Sequence, residues 1–365
     1  MADKKKPIAL ITGFPGFITA RLVKTLLAEN PCRYREIVLL VESRMKGVAE
    51  QRLNQLVSGD SPVVRVVTGD ITENDLGMSE SECKSLRRSK LELWHLAAIY
   101  DLAVPSTLAY RVNVDGTERV LDFAESCKHF GRLHYISTCY VAGQRTGRCF
   151  EDELDCGQAF KNHYESTKFW AEKCVQKRWE TLPTTIYRPG IVVGDSVTGE
   201  TIKGDGPYFI MNLLMKLPKW VPMVDIGTSE ATVNIVPVDF LVDAMVEISR
   251  RPETLGQVYQ LADPEPALAK DIVRWIIDYL GRAPVVGTVP SFVAEKLIGV
   301  KQVEAMVGIP KEAMVYFNHP ITYDVSNTLA ALQDTSVKCP RLKDYLPTLI
   351  DYAKRHPDIF ELNAR

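Results

Sequence analysis

The chain lacks any apolar run of about 18 residues or more, so no membrane-spanning helix is expected. It also lacks a basic surplus: 44 Lys and Arg face 46 Asp and Glu, for a net charge of −2, and no basic block is larger than Lys4-Lys5-Lys6. That balance excludes a nucleic-acid footprint. Its eight cysteines (Cys32, Cys83, Cys127, Cys139, Cys149, Cys156, Cys174, Cys339) contain no C-x-x-C pair, and its six histidines form no H-x-x-x-H or Cys/His cluster of zinc spacing. A metal site drops out. A core built from 365 residues needs no covalent staples, so the thiols read as free in a reducing cytoplasm. Repeats, low-complexity tracts and flexible linkers are missing as well. The N-terminus imitates a secretory leader: residues 1–6 are charged, 7–18 mostly apolar, and Ile18-Thr19-Ala20 looks like a cleavage site. Gly13, Pro15 and Gly16 interrupt that stretch and a periodic helix follows at once. The chain is therefore read as cytoplasmic and as beginning with its first strand.

What is present is an ordinary globular composition, 46% hydrophobic and 25% charged. The length suits two domains, or one large α/β domain with an appended lobe. Short apolar runs at 8–12, 37–41, 63–67, 91–96, 133–137 and 184–187 predict strands buried on both faces. Between them the 3.6-residue period predicts helices over 17–29, about 48–57, 107–129 and 159–180. Strand and helix thus alternate with short connections for nearly 190 residues. That pattern demands a parallel sheet with helices on both faces. After Arg188-Pro189 the texture changes to a Gly- and Asp-rich loop at 194–207 and a helix over 208–217. Further on come a strand at 234–237, a helix over 238–250, a strand at 258–261, and helices near 267–281, 290–299 and 341–355.

Three motifs carry chemistry. Thr12-Gly13-Phe14-Pro15-Gly16-Phe17-Ile18-Thr19 lies between the first strand and the first helix, where Gly13 permits a tight turn and Gly16 a close approach of backbone to a pyrophosphate. Unpaired N–H groups and the helix dipole favour anions there; a plain strand–helix turn is the alternative. In Tyr164-Glu165-Ser166-Thr167-Lys168 the spacing of four puts phenol and ammonium on one helical face. A neighbouring cation is expected to pull the phenol's pKa down from about 10 and make Tyr164 a proton donor; a solvated ion-dipole pair is the alternative. Ser137-Thr138-Cys139-Tyr140-Val141-Ala142-Gly143 ends a strand, where ligands of doubly wound sheets bind, though Ser and Thr there are also common turn residues.

In this order and on this frame, the three motifs resemble the extended short-chain dehydrogenase/reductase family, from residue 8 to about 260 and thereafter in outline. Gly69-Asp70-Ile71, His95-Leu96-Ala97-Ala98, Asn113-Val114-Asp115-Gly116-Thr117 and Arg188-Pro189-Gly190-Ile191-Val192-Val193-Gly194 match further family segments. Gly194-Asp195-Ser196-Val197-Thr198-Gly199-Glu200 and Asn234-Ile235-Val236-Pro237-Val238-Asp239 are similar to the thioester-reductase and fatty-acyl-CoA-reductase branch; a Gly-rich loop crossing between lobes is the alternative for the first. The resemblance implies a Rossmann-type doubly wound parallel sheet over 1–193, with 232–262 returning to it. A smaller, mostly helical substrate lobe would comprise 194–231 and 263–365.

It implies catalysis by Thr138, Tyr164 and Lys168. Cofactor contacts are implied from Gly13, Phe14, Pro15, Gly16, Phe17, Ile18, Arg44, Asp70, Ile71, Leu96, Ala97, Ala98, Tyr164, Lys168, Pro189, Gly190 and Ile191. The reaction implied is reduction of a fatty acyl thioester, on coenzyme A or a carrier protein, to aldehyde, with a further step to alcohol left open. A ketone or aldehyde reductase or alcohol dehydrogenase is the alternative within enzymes, with a sugar-nucleotide epimerase or a non-catalytic NADP sensor behind it. Two positions depart from the family pattern. Thr19 replaces a Gly or Ala of the glycine turn and is expected to hold the helix slightly off the sheet. Glu42 stands where many reductases carry an Arg for the NADP 2′-phosphate, which favours NAD, while Arg44 and Lys46 in the same loop favour NADP; NADP(H) is the preferred reading and NAD(H) stays open. Cys139 reads as a buried small hydrophobe, His95 as packing, and His163 as pointing away from Tyr164. Trp220 with Leu213, Leu214, Met215 and Leu217 reads as core, with an acyl channel or peripheral membrane contact as the alternative. The helices over 107–129 and 159–180 leave a homodimer open by analogy with relatives.

Overall fold

Strand β1 (Ile8–Thr12) has all five side chains buried, as a strand covered on both faces must. In this computed structural model, residues 6–29, 31–57, 63–100, 104–221, 223–226, 231–289 and 319–360 are described. Helix α1 (Phe17–Ala28) turns Thr19, Ala20, Leu22, Val23 and Leu26 inward. Thr19 is 3% exposed, so its methyl and hydroxyl are packed in the interior. The alternation continues through β2 (Glu36–Val41), α2 (Lys46–Leu56), β3 (Val63–Thr68), α3 (Glu80–Arg88) and β4 (Lys90–His95). Helices α4 (Ser106–Tyr110) and α5 (Gly116–Glu125) are joined by a π-helical stretch, Arg111–Asp115. Then come β5 (His129–Ile136), β6 (Gly147–Cys149), α6 (His163–Gln176), β7 (Thr184–Pro189) and β8 (Ile191–Val193).

The remainder comprises α7 (Pro207–Lys216), β9 (Met223–Ile226), β10 (Thr232–Val233), β11 (Ile235–Pro237), α8 (Val238–Ser249) and β12 (Gln257–Leu261). It ends with β13 (Ala267–Leu268), α9 (Ala269–Tyr279), β14 (Val285–Val289), β15 (Ile321–Tyr323), α10 (Ser326–Leu332) and α11 (Leu342–Arg355). The expected helix over 290–299 lies outside the described residues. The expected helix over 107–129 ends earlier, at Glu125, where a turn over 126–128 leads into β5 at His129. Of the short strands, β11 lies at the expected 234–237, while β6, β10, β13 and β15 escape sequence reading because two or three residues carry no period-2 pattern.

Seven strands form one parallel sheet in the order β12-β7-β5-β4-β1-β2-β3, a Rossmann-type doubly wound arrangement as the alternation predicts. Thr12 pairs with Leu40 on one side and with His95 on the other. The order therefore reverses at β1, and the crevice beyond the ends of β1 and β4 is the switch point where such sheets bind ligands. One apolar cluster, with Leu22, Leu26 and Leu241, fills the α1/α8 face, and another, with Leu86, Leu121 and Val175, fills the α3/α5/α6 face. A third cluster, with Met211, Ile276 and Leu349, joins α7, α9 and α11. Helix α10 packs on the large sheet rather than in this third cluster: Leu332 joins the α1/α8 core and Thr328 Oγ1 donates to Gln260 O at 3.0 Å.

Candidate active site

The turn after β1 is shaped by backbone. Gly13 has φ +89°, and a Cβ there would sit 2.8 Å from Ala97 N and 2.9 Å from Leu96 C, so only hydrogen fits beneath the chain leaving β4. Gly16 N donates to Gly13 O at 2.8 Å. Gly16 is the exposed N-cap of α1, with no side-chain cap and no acid in the first turn, so the first N–H groups face outward for an anion. This cradle, which a Cβ would fill, fits the pyrophosphate of a dinucleotide. Phe14 is 4% exposed, so its ring is core and its main chain alone is available to a ligand. Pro15, Phe17 and Ile18 are partly buried around the turn. Thr12 opens the glycine motif, which assigns it no role of its own; its Oγ1 accepts from Leu96 N (3.2 Å) and Ala97 N (3.1 Å) and bonds His95 Nδ1 at 2.8 Å. One hydroxyl at the end of β1 thus fixes Leu96-Ala97-Ala98; its only hint is a polar residue closing an apolar strand.

His95 also bonds Thr117 Oγ1 through Nε2 at 3.1 Å. Burial, with the charge of Lys168 second, pushes its pKa down to about 3, so the ring stays neutral and acts as packing. An unfolded histidine takes up a proton near pH 6.5, whereas the folded one resists it. The stability held by His95 is therefore present above about pH 6.5 and lost as pH falls toward about 3. Urea unfolding between those limits should show stability falling with pH, and less steeply in His95→Gln.

At the far side of the crevice, Asp70 Oδ1 accepts from Thr72 N (2.8 Å) and Thr72 Oγ1 (2.9 Å). Ile71 is buried against Gly116, where a Cβ would come within 2.9 Å of Ile71 Cδ1. Arg44 follows β2 in a 3-10 turn, exposed, with Nε 2.6 Å from Glu42 Oε2. The acid and the base that argued for different cofactors form one pair.

Helix α6 begins at a polar clasp: Asn162 Oδ1 accepts from Glu165 N (3.0 Å) and Glu165 Oε2 accepts from Lys161 N (2.8 Å). Tyr164 and Lys168 share one face of this helix toward the end of β5. The Thr138 side chain lies close enough to the Tyr164 phenol to favour its ionised form, and Thr138 Oγ1 donates to Pro189 O at 3.4 Å. Lys168 Nζ donates to Ile136 O at 2.7 Å and to Tyr135 OH at 3.0 Å. The expected depression of the Tyr164 pKa is not found. Burial outweighs the Thr138 side chain and raises the phenol to about 12, while burial lowers Lys168 to about 7. Taking both side chains out of water penalises the charged form of each. Thr138, Tyr164 and Lys168 are nonetheless brought together; His163 is exposed, and Cys139 is buried, its Sγ donating to Arg188 O at 3.0 Å.

Pro189-Gly190-Ile191 is strapped beneath Asn234: a Cβ on Gly190 would lie 2.8 Å from Asn234 Oδ1. Asn234 also accepts from Asp263 N at 2.8 Å and donates to Asp263 O at 2.9 Å. The segment 194–200 knots the lobes together. Asp195 pairs with Arg21 of α1 at 2.6 Å, Ser196 Oγ donates to Asp239 of α8 at 2.6 Å, and Gly199, at φ +75°, would set a Cβ 2.6 Å from Thr348 O of α11. The reading of Trp220 as core is corrected: it is 78% exposed, because it stands past the end of α7, whose Leu214 is buried. A cavity of about 430 Å³ opens at the C-terminal ends of α7, α9 and α11, and none of the site residues lines it. Its Arg282 donates to Leu217 O (2.8 Å) and Pro218 O (2.7 Å), so this cation serves as a helix C-cap.

The doubly wound sheet with its glycine cradle after β1 is of the extended short-chain dehydrogenase/reductase type. Residues 11–245 match the male sterility protein family, and the chain belongs to that family. It is 26% identical over 281 residues to a linear gramicidin synthase polypeptide of Brevibacillus parabrevis, covering 73% of this chain and 5% of that protein. It is 24% identical over 310 residues to fatty acyl-CoA reductase wat of Drosophila melanogaster, covering 73% of this chain and 58% of that one. The chain thus spans less than two thirds of the length of these relatives. The terminal R domain from the myxalamid PKS-NRPS biosynthetic pathway superposes with a TM-score of 0.81 at 26% identity, covering 96% of this chain and 91% of that domain.

Proposed function

We propose that the protein reduces an acyl thioester to an aldehyde with NADPH, using Thr138, Tyr164 and Lys168. The observation that carries this reading is the convergence of α6 on the end of β5, where Lys168 Nζ donates to Ile136 O at 2.7 Å and Tyr164, one helical turn earlier, lies beside the Thr138 side chain. The thioester is supported by likeness to a fatty acyl-CoA reductase and to a terminal R domain of a PKS-NRPS pathway. The cofactor would be held by main-chain N–H groups of residues 13–18, by Asp70 and Ile71 at the adenine, by 96–98, by Tyr164 and Lys168 at a ribose, and by 189–191. When bound, it supplies hydride.

Thr138 and Tyr164 hydrogen-bond the carbonyl oxygen and stabilise the negative charge that develops there. Tyr164 then passes its proton to that oxygen. Its raised pKa suits this direction, because the phenol is fully protonated at the start of each turnover. The resulting hemithioacetal loses its C–S bond, giving aldehyde and free thiol with no further redox change. A second cycle on the aldehyde gives the alcohol. The cluster of α7, α9 and α11 forms the lobe that receives the acyl chain, and the thiol belongs to coenzyme A or to a carrier protein.

Arg44 favours NADPH by meeting the 2′-phosphate, released in part from Glu42. A charge-assisted contact is worth about 1.5 kcal/mol or more, so Arg44→Ala should raise the KM for NADPH roughly tenfold and leave that for NADH unchanged. The reaction itself is tested with NADPH deuterated at C4 and a long-chain acyl-CoA, the aldehyde being trapped as an oxime. Deuterium at C1 of the trapped product is expected; unlabelled aldehyde, or no aldehyde, overturns the proposal.

A further inference from the structure

The cavity at the C-terminal ends of α7, α9 and α11 takes no part in the chemistry above, and its lining has two characters. One part is apolar: Leu214, Leu280, Ala353 and Phe360 line it, and all four belong to or pack against the α7/α9/α11 core. The other is cationic, made of Lys216, Lys219, Arg282 and Lys354, and among the described residues no carboxylate lines it. Its volume of about 430 Å³ lies within the about 300–1,000 Å³ of small-molecule sites, which are mostly apolar with a few convergent polar groups. Helix ends account for part of the charge. Each of the three C-termini brings roughly half a negative charge, and the Nη atoms of Arg282 are spent on the carbonyls of Leu214, Leu217 and Pro218. Lys354 pairs with Asp351 at 3.2 Å and lies over the Tyr279 ring. Lys216 and Lys219 are left over: both are exposed, and neither has a hydrogen bond or ion pair among the described residues. The cavity is therefore net positive. Arg282 Nε adds a buried N–H with no acceptor, a state that is rare in folded chains.

We propose that this cavity is a second binding site, for a single-chain anionic amphiphile whose carboxylate or phosphate head meets Lys216 and Lys219 while its alkyl chain lies against Leu214, Leu280, Ala353 and Phe360. Lys216 closes α7 and Lys219 follows it by three residues, so both cations reach one cavity from the same helix end. Neither lysine has to give up a partner to receive the head. Burying the chain against the apolar wall supplies affinity in proportion to the area removed from water, and the charged head selects an anion over a neutral lipid. The site is separate from the crevice: Thr138, Tyr164, Lys168 and the glycine turn are absent from its lining. Binding there needs neither NADPH nor a thioester, so the inference does not rest on the proposed reaction.

The test is calorimetric titration of the full chain, without NADPH, with dodecanoate, dodecyl phosphate, dodecan-1-ol and inorganic phosphate, each below its micelle concentration. One or both of the anionic amphiphiles should bind at a single site, roughly tenfold or more tighter than the alcohol or inorganic phosphate, and the tighter of the two identifies the head. Lys216→Ala/Lys219→Ala should weaken that ligand about tenfold, to the level of the alcohol. Leu280→Trp, which fills the cavity, should abolish binding of the amphiphile and the alcohol alike. Circular dichroism verifies the fold; the two exposed lysines can be replaced without disturbing packing, so the first variant decides the matter if the second fails to fold. Four outcomes overturn the proposal: no binding of either amphiphile, equal binding of the alcohol, binding unaffected by loss of the two lysines, or displacement of the amphiphile by NADPH. Binding of the chain to vesicles of phosphatidylcholine and phosphatidylserine, with none to the monomeric ligands, also overturns it and assigns these lysines and the exposed Trp220 to a membrane surface.

Discussion

Tyr164→Phe should lower turnover by about 10²-fold or more, the range expected when a positioned general acid is removed, while NADPH affinity stays within a few-fold of the wild type. The variant deletes one oxygen. The ring still fills its partly buried place above β5, and Lys168 keeps both of its partners, Ile136 O and Tyr135 OH. What is lost is the hydroxyl beside Thr138 and the proton that the phenol holds through burial. Steady-state kinetics with saturating NADPH measures the loss, and circular dichroism verifies the fold. Turnover close to wild type in Tyr164→Phe removes Tyr164 from the chemistry.

Gly13→Ala should abolish useful cofactor binding. Two costs combine at this position. The φ of +89° is disfavoured for any residue with a Cβ, and that Cβ meets main-chain atoms of Leu96 and Ala97 at 2.9 and 2.8 Å. The first costs about 1 kcal/mol or more and the second about 1–3 kcal/mol, as for overpacking. The atoms in the way are backbone, fixed by Thr12 Oγ1, so relief requires the turn to swing off the end of β4. That displaces the N–H groups that would receive the pyrophosphate. We expect a Kd for NADPH raised by at least about 30-fold, which is about 2 kcal/mol, together with a lower Tm. An unchanged Kd would show that the anion sits elsewhere.

The large sheet is legible in the sequence because its strands are buried on both faces and so appear as unbroken apolar runs such as 8–12 and 37–41. The order of the motifs follows from the chain returning to the same sheet edge each time. Spacing alone puts Tyr164 and Lys168 on one face of a helix whose start, at Asn162 and Glu165, is a capping pattern. The ionisation of that pair is not legible, because spacing reports proximity and says nothing of burial, and here burial raises the phenol and lowers the ammonium. The bonds made by Thr12, Glu172 and Arg188 escape sequence reading for a related reason: their partners lie on other elements, 84, 35 and 16 positions away in the bonds Thr12–Leu96, Ser137–Glu172 and Arg188–Glu172. Segment 194–200, which resembles a family signature, spends its side chains tying Arg21 and Asp239 together. Beyond Pro189 the small strands carry too few residues for any period, and Trp220 stands exposed where its apolar neighbours suggest core.

The central claim, hydride delivery to a thioester, is tested most directly by following NADPH absorbance when purified protein meets a long-chain acyl-CoA, with the matching aldehyde as a parallel substrate and Tyr164→Phe as control. The account predicts NADPH oxidation with the acyl-CoA, strongly diminished in the variant, and consumption of one or two equivalents per thioester as reduction stops at the aldehyde or continues to the alcohol. Oxidation with the aldehyde alone, and none with the thioester, would contradict it and make the protein a carbonyl reductase on the same fold.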